Sequence, residues 1–286
     1  FRFDIEIEAD LIEEIGRVYG YENIPDDYTS GRLKMLALPE TRRPRFAVYN
    51  EMAARGYREV VSYAFVDEQW EHDFAANANP IRLQNPLAAQ YAVMRSTLIG
   101  GLVEILQNNL NRKQNRVRVF EIARVFSKGS DDRFVQNERI GGLWYGAAMP
   151  EQWGEKTRNA DFYDIKADVE NLLKNKAVEF VKTEHPALHP GRAANIVSDG
   201  QVIGFVGELH PKWLQKYDLP QAPLVFEIDM AAVLEREKTR YQAVSKFQPV
   251  RRDLAFVMPE TMTHDDLLAA LNGAANKLVQ EISVFD

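Results

Sequence analysis

The run R-A-A-N-I-V-S-D-G-Q-V-I-G-F-V-G-E-L, residues 192–209, decides the fold. Arg192 to Ser198 and Gln201 to Leu209 read as two strands, and Asp199-Gly200 between them is the turn chemistry that joins antiparallel neighbours. Working outward, strands are predicted at Glu59 to Val66, Arg116 to Phe126, Arg139 to Gly146, Ala177 to Lys182 and Leu224 to Met230. Helices are predicted over Leu11 to Tyr19, Pro44 to Arg55, Ser96 to Leu110 and Asp161 to Leu173. They fall irregularly among the strands. The order therefore predicts an α+β fold with a mostly antiparallel sheet flanked by helices, and no βαβ rhythm.

Local signals refine this picture. The first helix should bury Leu11, Ile12, Ile15 and Val18 and end at Gly20. Ser96 is placed to cap a helix whose apolar stripe is Leu98, Leu102, Ile105, Leu106 and Leu110. Leu234 to Ala243 is charged, with little apolar period, and reads as a linker. Beyond it come a strand at Arg252 to Val257, a helix that Thr263 could cap and that runs to Val279, and a terminal strand, about half of a small split α/β domain. The chain begins and ends within strand-like sequence, as if cut from a larger structure.

With 286 residues, 45% of them hydrophobic, the chain can hold one large core or two to three domains. It has no cysteine, which excludes disulfides, thiolate metal sites and a cysteine nucleophile, and which is compatible with a reducing compartment. No apolar run approaches the roughly 20 residues that cross a membrane. A net charge of -7 argues against indiscriminate nucleic-acid binding, but the charge is segregated. The first 30 residues hold nine acids against two basic residues, whereas Gly31 to Arg58 has seven basic residues against two acids, and Leu110 to Arg133 seven against three. Such basic stretches can touch phosphates or simply form solvated faces.

Four of the leading acids, Asp4, Asp10, Glu13 and Glu14, form a constellation that could converge on a hard cation. Asp10 can equally be a helix N-cap with Glu13 closing a capping box. Asp4 has no use as a cap. His185 and His189 are four apart, but Pro186 and Pro190 interrupt the helix that would align them. Asp161, Asp164 and Asp168 suggest an acidic helix face, solvated or paired between domains. Trp144, Trp153 and Trp213 read as core, since no alternating aromatic and basic platform for single-stranded RNA is visible.

Several runs together resemble the beta-subunit family of bacterial phenylalanyl-tRNA synthetases. D-I-E-I-E-A-D-L-I-E-E-I-G-R-V-Y-G-Y-E-N-I-P at 4–25 is similar to the end of that family's winged-helix-like domain. M-R-S-T-L-I-G-G-L at 94–102, V-F-E-I-A-R-V-F at 119–126, D-F-Y-D-I-K-A-D-V-E at 161–170 and H-P-G-R-A-A-N-I at 189–196 resemble successive markers of its synthetase-like core. S-K-F-Q-P-V-R-R-D-L-A-F-V at 245–257 resembles the opening of its ferredoxin-like anticodon-binding domain. The likeness spans essentially the whole chain and rests on the order and spacing of the runs.

The resemblance implies a noncatalytic class II aminoacyl-tRNA synthetase-like core followed by a truncated ferredoxin-like α/β domain. The implied boundaries are 1–25 for the winged-helix end, 26–234 for the core, 235–243 for the linker and 244–286 for the partial last domain. It implies a cytoplasmic αβ heterotetramer that joins phenylalanine to its tRNA using ATP at the alpha-subunit site, with a second heterodimer as further partner. A class II site needs an arginine beside an acid and a glycine-rich element ending in arginine. Arg118, Val119, Phe120 and Glu121 offer at most a degenerate version of the first, and no G-x-G-x-G-x-x-R occurs, so no catalytic residue is assigned. The family's Mg²⁺ site maps onto Asp4, Asp10, Glu13 and Glu14, with a structural role. Lys246, Arg251 and Arg252 are the implied tRNA-binding cations. Arg112, Lys113, Arg116 and Arg118 could approach the tRNA backbone. The helix from Ser96 to Leu110 and the Arg42-Arg43-Pro44 segment are candidates for contact with alpha. The family's editing site lies upstream and is not expected here. Outside the resemblance, a free-standing RNA-binding module and a carboxylate-metal hydrolase remain alternatives.

Overall fold

The computed structural model describes residues 3–27, 30–31, 39–129, 133–241, 243–244 and 246–285. Arg32 and Lys34 of the first basic stretch lie outside the described residues. The chain divides into two units, Phe1–Lys238 and Thr239–Asp286. In chain order the first contains helices Glu8–Tyr19 (α1) and Arg45–Ala54 (α2), strands Arg58–Glu59 (β1) and Phe65–Val66 (β2), helix Glu68–Ala75 (α3), strand Val93–Met94 (β3) and helix Ile99–Asn111 (α4). Strands Val117–Lys128 (β4) and Phe134–Tyr145 (β5), helix Phe162–Leu172 (α5), and strands Glu179–Lys182 (β6), Leu188–Ser198 (β7) and Gln201–Leu209 (β8) follow. Helix Pro211–Lys216 (α6), strand Leu224–Asp229 (β9) and helix Met230–Leu234 (α7) complete it.

Seven strands form one sheet in the order β1-β4-β5-β9-β8-β7-β6. Only β1 runs parallel to its neighbour, and the remaining pairs are antiparallel. The β7–β8 hairpin turns at Asp199-Gly200, both with positive φ, the combination that matches the twist of paired strands. Both faces of the sheet are covered. Because side chains alternate across a strand, Phe120 and Ile122 of β4, Ile140 and Trp144 of β5, and Phe226 and Ile228 of β9 meet Val48, Met52, Ile165, Val169 and Val233 from α2, α5 and α7. Val117, Val119, Leu143 and Val225 face the other way, onto Phe74 of α3 and Leu102, Val103 and Leu106 of α4. Each such fully buried side chain contributes roughly 1.5–3 kcal/mol. Close packing at the centre depends on Gly142, paired across β5–β9 with Phe226, where a Cβ would lie 2.3 Å from the phenyl ring.

The expected strand from Glu59 to Val66 is broken. Only Arg58 and Glu59 pair with β4; the chain then leaves the sheet, and Phe65–Val66 pairs antiparallel with β3. Ser62 is diverted because its amide and hydroxyl donate to Glu121. Ser96 does not cap α4. Its amide and hydroxyl go to Glu71, while the hydroxyl of Thr97 accepts from the Ile99 amide. Helix α1 starts earlier than its apolar period suggested, with Ile7 as N-cap. Its intended core face is bare: Ile12, Ile15 and Val18 are 62%, 68% and 78% exposed.

The second unit holds one helix, His264–Ala274 (α8), capped by Thr263, and among its described residues no strand is formed. The strands expected at Arg252 to Val257 and at the terminus are absent, and the helix ends before Val279. No described residue of this unit is buried, and Leu254, Phe256 and Val257 are exposed. Among the described residues, no helix is long and apolar enough to cross a membrane.

Candidate functional site

Arg118 sits on the α2/α5 side of β4 and is the centre of the most chemically loaded place in the first unit. Arg55 is the C-cap of helix α2, and Gly56, with φ of 82°, turns the chain so that Arg55 and Tyr57 flank the same point. Asp168 projects into that point from α5. Its carboxylate accepts from Arg118 Nη2 at 2.6 Å, Arg55 Nη1 at 2.8 Å and Tyr57 Oη at 2.9 Å. The Arg118 guanidinium lies 3.6 Å from the centre of the Trp144 ring and 4.4 Å from that of Tyr57, a cation–π contact with each of two rings that meet edge to face. Burial, reinforced by the Asp168 charge, pushes the Tyr57 phenol far above its ordinary pKa, so it stays a donor. An open cleft of about 390 Å³ adjoins the cluster, lined also by Arg158, Tyr163 and Asp164. Arg158 grips Asp164 with two bonds of 2.6 and 2.7 Å, and holds that carboxyl below the usual range.

Glu121, three residues beyond Arg118, necessarily points to the opposite face. There it accepts from Arg95 Nη1 at 3.1 Å and from Ser62 Oγ at 2.7 Å. The arginine and acid of the degenerate motif are thus separated by the sheet, and each is occupied by the protein's own side chains. Glu121 belongs to a lock around residues 95–97 in which every consecutive side chain meets a different buried carboxylate. Arg95 meets Glu121 of β4, Ser96 meets Glu71 of α3, and Thr97 Oγ1 donates to Glu227 of β9 at 2.6 Å. The Leu98 amide and Arg139 Nη1 also donate to Glu227, at 2.8 and 2.7 Å. The lock sets the start of α4 against the sheet.

At the acidic head, Asp10 is not the N-cap but the third residue of α1. Its Oδ2 reaches back to accept the amides of Glu6 and Ile7 at 2.8 and 3.0 Å. Those bonds, Ile7 first, lower its pKa against the opposing charge of Asp4. Glu14 Oε2 accepts from Arg17 Nε and Nη2 at 3.0 and 2.7 Å. The oxygen donors suit a hard cation chemically. Their arrangement does not gather them: among the described residues no three His, Cys, Asp or Glu side chains are placed to hold a metal ion.

In the second unit, Arg251 pairs with Asp253 at 3.0 Å and stacks 5.4 Å from the Phe285 ring, while Arg252 donates to the Arg251 carbonyl. These two and Lys246 are exposed. Other candidates divide differently from the expectation. Arg116 is half-buried and donates to the Ala147 and Ala148 carbonyls, and Arg118 is engaged by Asp168, whereas Arg112 and Lys113 are exposed. Arg43 is buried against the Leu172 carbonyl and Glu51 while Arg42 and Pro44 are exposed, and α4 buries residues 99–103 and Leu106 in the core while Asn108 stays exposed. His185 and His189 each accept a local amide, from Ala187 and Gly191. Trp144 and Trp213 pack inside, but Trp153 is wholly exposed. Asp168 departs from the expected acidic face, solvated or paired between domains: it is buried within the first unit, and the signal was its place three residues after Ile165 and four before Leu172, in the apolar stripe.

Comparison with known proteins places this geometry in a family. The phenylalanyl tRNA synthetase beta chain CLM domain matches residues 24–230, and the ferredoxin-fold anticodon binding domain matches residues 245–286. Phenylalanine-tRNA ligase beta subunits from Neisseria meningitidis serogroup A and Neisseria gonorrhoeae are each 94% identical over all 286 residues. That of Chromobacterium violaceum is 55% identical over the same length. The chain spans 36% of the length of these relatives. A solved pyrrolysyl tRNA synthetase from Desulfitobacterium hafniense is 11% identical with a TM-score of 0.48, covering 67% of this chain and 66% of that one.

Proposed function

The chain belongs to the phenylalanyl-tRNA synthetase beta chain family, and on that premise we propose that it is a noncatalytic part of a phenylalanine-tRNA ligase. It supports ATP-dependent attachment of phenylalanine to tRNA by packing with a catalytic alpha subunit, in a cytoplasmic assembly that includes a second heterodimer. The observation that supports this reading is the fate of the degenerate motif: Arg118 is neutralised by Asp168 and packed against the Trp144 and Tyr57 rings, while Glu121 serves Arg95 on the other face. Neither is available to hold a carboxylate or an α-phosphate. Residues 1–25 are read as the end of a winged-helix-like domain, 26–234 as a class II synthetase-like core, 235–243 as a linker and 244–286 as part of the anticodon-binding domain.

Lys246, Arg251 and Arg252 are proposed to meet tRNA phosphates. Their replacement by glutamine should weaken tRNA binding by the assembly and reduce its salt dependence. Asp4, Asp10, Glu13 and Glu14 are proposed as Mg²⁺ donors on their oxygen chemistry, a bound cation relieving the repulsion between Asp4 and Asp10. Asp10 would have to share the carboxylate that now accepts the Glu6 and Ile7 amides. A Mg²⁺ titration of head-segment amides by NMR that shows no saturable shift sinks this site. The central test is co-expression with alpha, with association followed by light scattering and phenylalanine-dependent ATP–pyrophosphate exchange measured with and without this chain. Stable association, with exchange only when alpha is present, is expected. Exchange by this chain alone would overturn the assignment.

A further inference from the structure

We propose that Arg55, Tyr57 and Arg118 form a carboxylate-binding seat whose occupant is the chain's own Asp168, and that clearing the seat makes it a receptor for small free carboxylates. Three donors from two separate elements converge on one carboxylate at 2.6–2.9 Å, and the side chain they hold is only 4% exposed. That is the donor set of a carboxylate receptor, with two guanidinium groups and a phenol, filled intramolecularly. Contacts other than those to the occupant also hold the seat. Trp144 and Tyr57, set edge to face, both pack against the Arg118 guanidinium, and Gly56 turns the chain between Arg55 and Tyr57.

Asp168 also fills the seat incompletely. Arg118 Nε is buried with no hydrogen-bond partner, a donor that a tethered aspartate leaves unused and a free carboxylate can take in the bidentate mode. The cluster adjoins the open cleft beside Arg158 and Tyr163, which gives a small anion a route in. The other acids of that cleft are spoken for: Asp161 caps α5 and Asp164 is held by Arg158. Removing the Asp168 carboxylate therefore leaves Arg55 and Arg118 uncompensated and accessible. The inference stands on this geometry and is independent of the proposed partner.

The test is Asp168→Gly in the protein carried in its natural assembly, with hydrogen exchange of residues 161–173 followed in sodium formate and in sodium chloride at matched ionic strength. Protection in the variant should be lost in chloride and restored by formate, while the wild type responds equally to both salts. Asp168→Asn, whose amide fills the seat, should show no preference for formate, and adding Arg118→Met to Asp168→Gly should abolish the formate response. A variant soluble only when prepared in formate also supports the seat. Equal protection in the two salts, a formate preference in Asp168→Asn, or a variant insoluble in both salts overturns it.

Discussion

Helices α5 and α8 begin with the same device and meet different fates. Asp161 accepts the amides of Tyr163 and Asp164 while Asp164 reaches back to the Asp161 amide; Thr263 and Asp266 make the same reciprocal exchange at the start of α8. Yet α5 buries Ile165, Asp168, Val169 and Leu172 against the sheet, and α8 buries nothing. Capping therefore says where a helix begins, and only a facing apolar surface says whether it belongs to a core. Helix α1 repeats the lesson, well formed and amphipathic with its apolar face bare.

The difference can be broken most forcefully from beneath. Glu121→Ala leaves Arg95 buried without its partner and should cost about 3–5 kcal/mol in urea unfolding of the first unit. Such a change should leave the exposure of α8 amides to exchange unaltered. Next, Ile165→Ala in α5 removes a fully buried side chain and should cost about 2–5 kcal/mol, whereas Leu267→Ala in α8 should cost about 1 kcal/mol or less. If the second substitution becomes as costly in a larger assembly, a partner covers α8 there.

A pH series separates the two regions further. Burial, with Arg139 nearby, lowers the His185 pKa to about 4 from its ordinary 6.5. As pH falls below 6.5 the unfolded chain takes up a proton that the folded chain refuses, so stability should decline between about pH 6.5 and 4 and then level off. His185→Gln should flatten that window in urea unfolding. Asp164, depressed by Arg158, stabilises above the ordinary carboxylate pKa and loses its contribution only as pH falls through its lowered value. The smallest effect comes from the caps: Asp161→Ala and Thr263→Ala should each cost about 1 kcal/mol, the first seen in global unfolding and the second in local helicity by NMR.

Much of the sheet was legible. Gln201 to Leu209 matched its strand, and Asp161 fell at the start of its helix, because alternation and capping are local signals. Ser62 and Ser96 defeated the reading for one reason. Both look like strand or cap residues in their own neighbourhood, and both are claimed by glutamates far away in sequence, Glu121 and Glu71. The Arg118 cluster hid in the same way, since the Arg55–Tyr57 segment, Arg118, Trp144 and Asp168 come from four stretches that only the fold unites. The acids of the head were visible as a group, but the role of Asp10 changed with a shift of a few residues in where α1 begins.

The lock around residues 95–97 also bears on the order of folding. Ser96 and Arg95 are 25 and 26 residues from the carboxylates they meet, but Thr97 is 130 residues from Glu227. Glu227 lies on β9, which pairs between β5 and β8 although a long stretch of chain separates it from β5. Closing so long a loop gains nothing until the distant strand arrives. The Thr97–Glu227 contact is thus a late latch, and Thr97→Val should speed unfolding far more than it slows refolding.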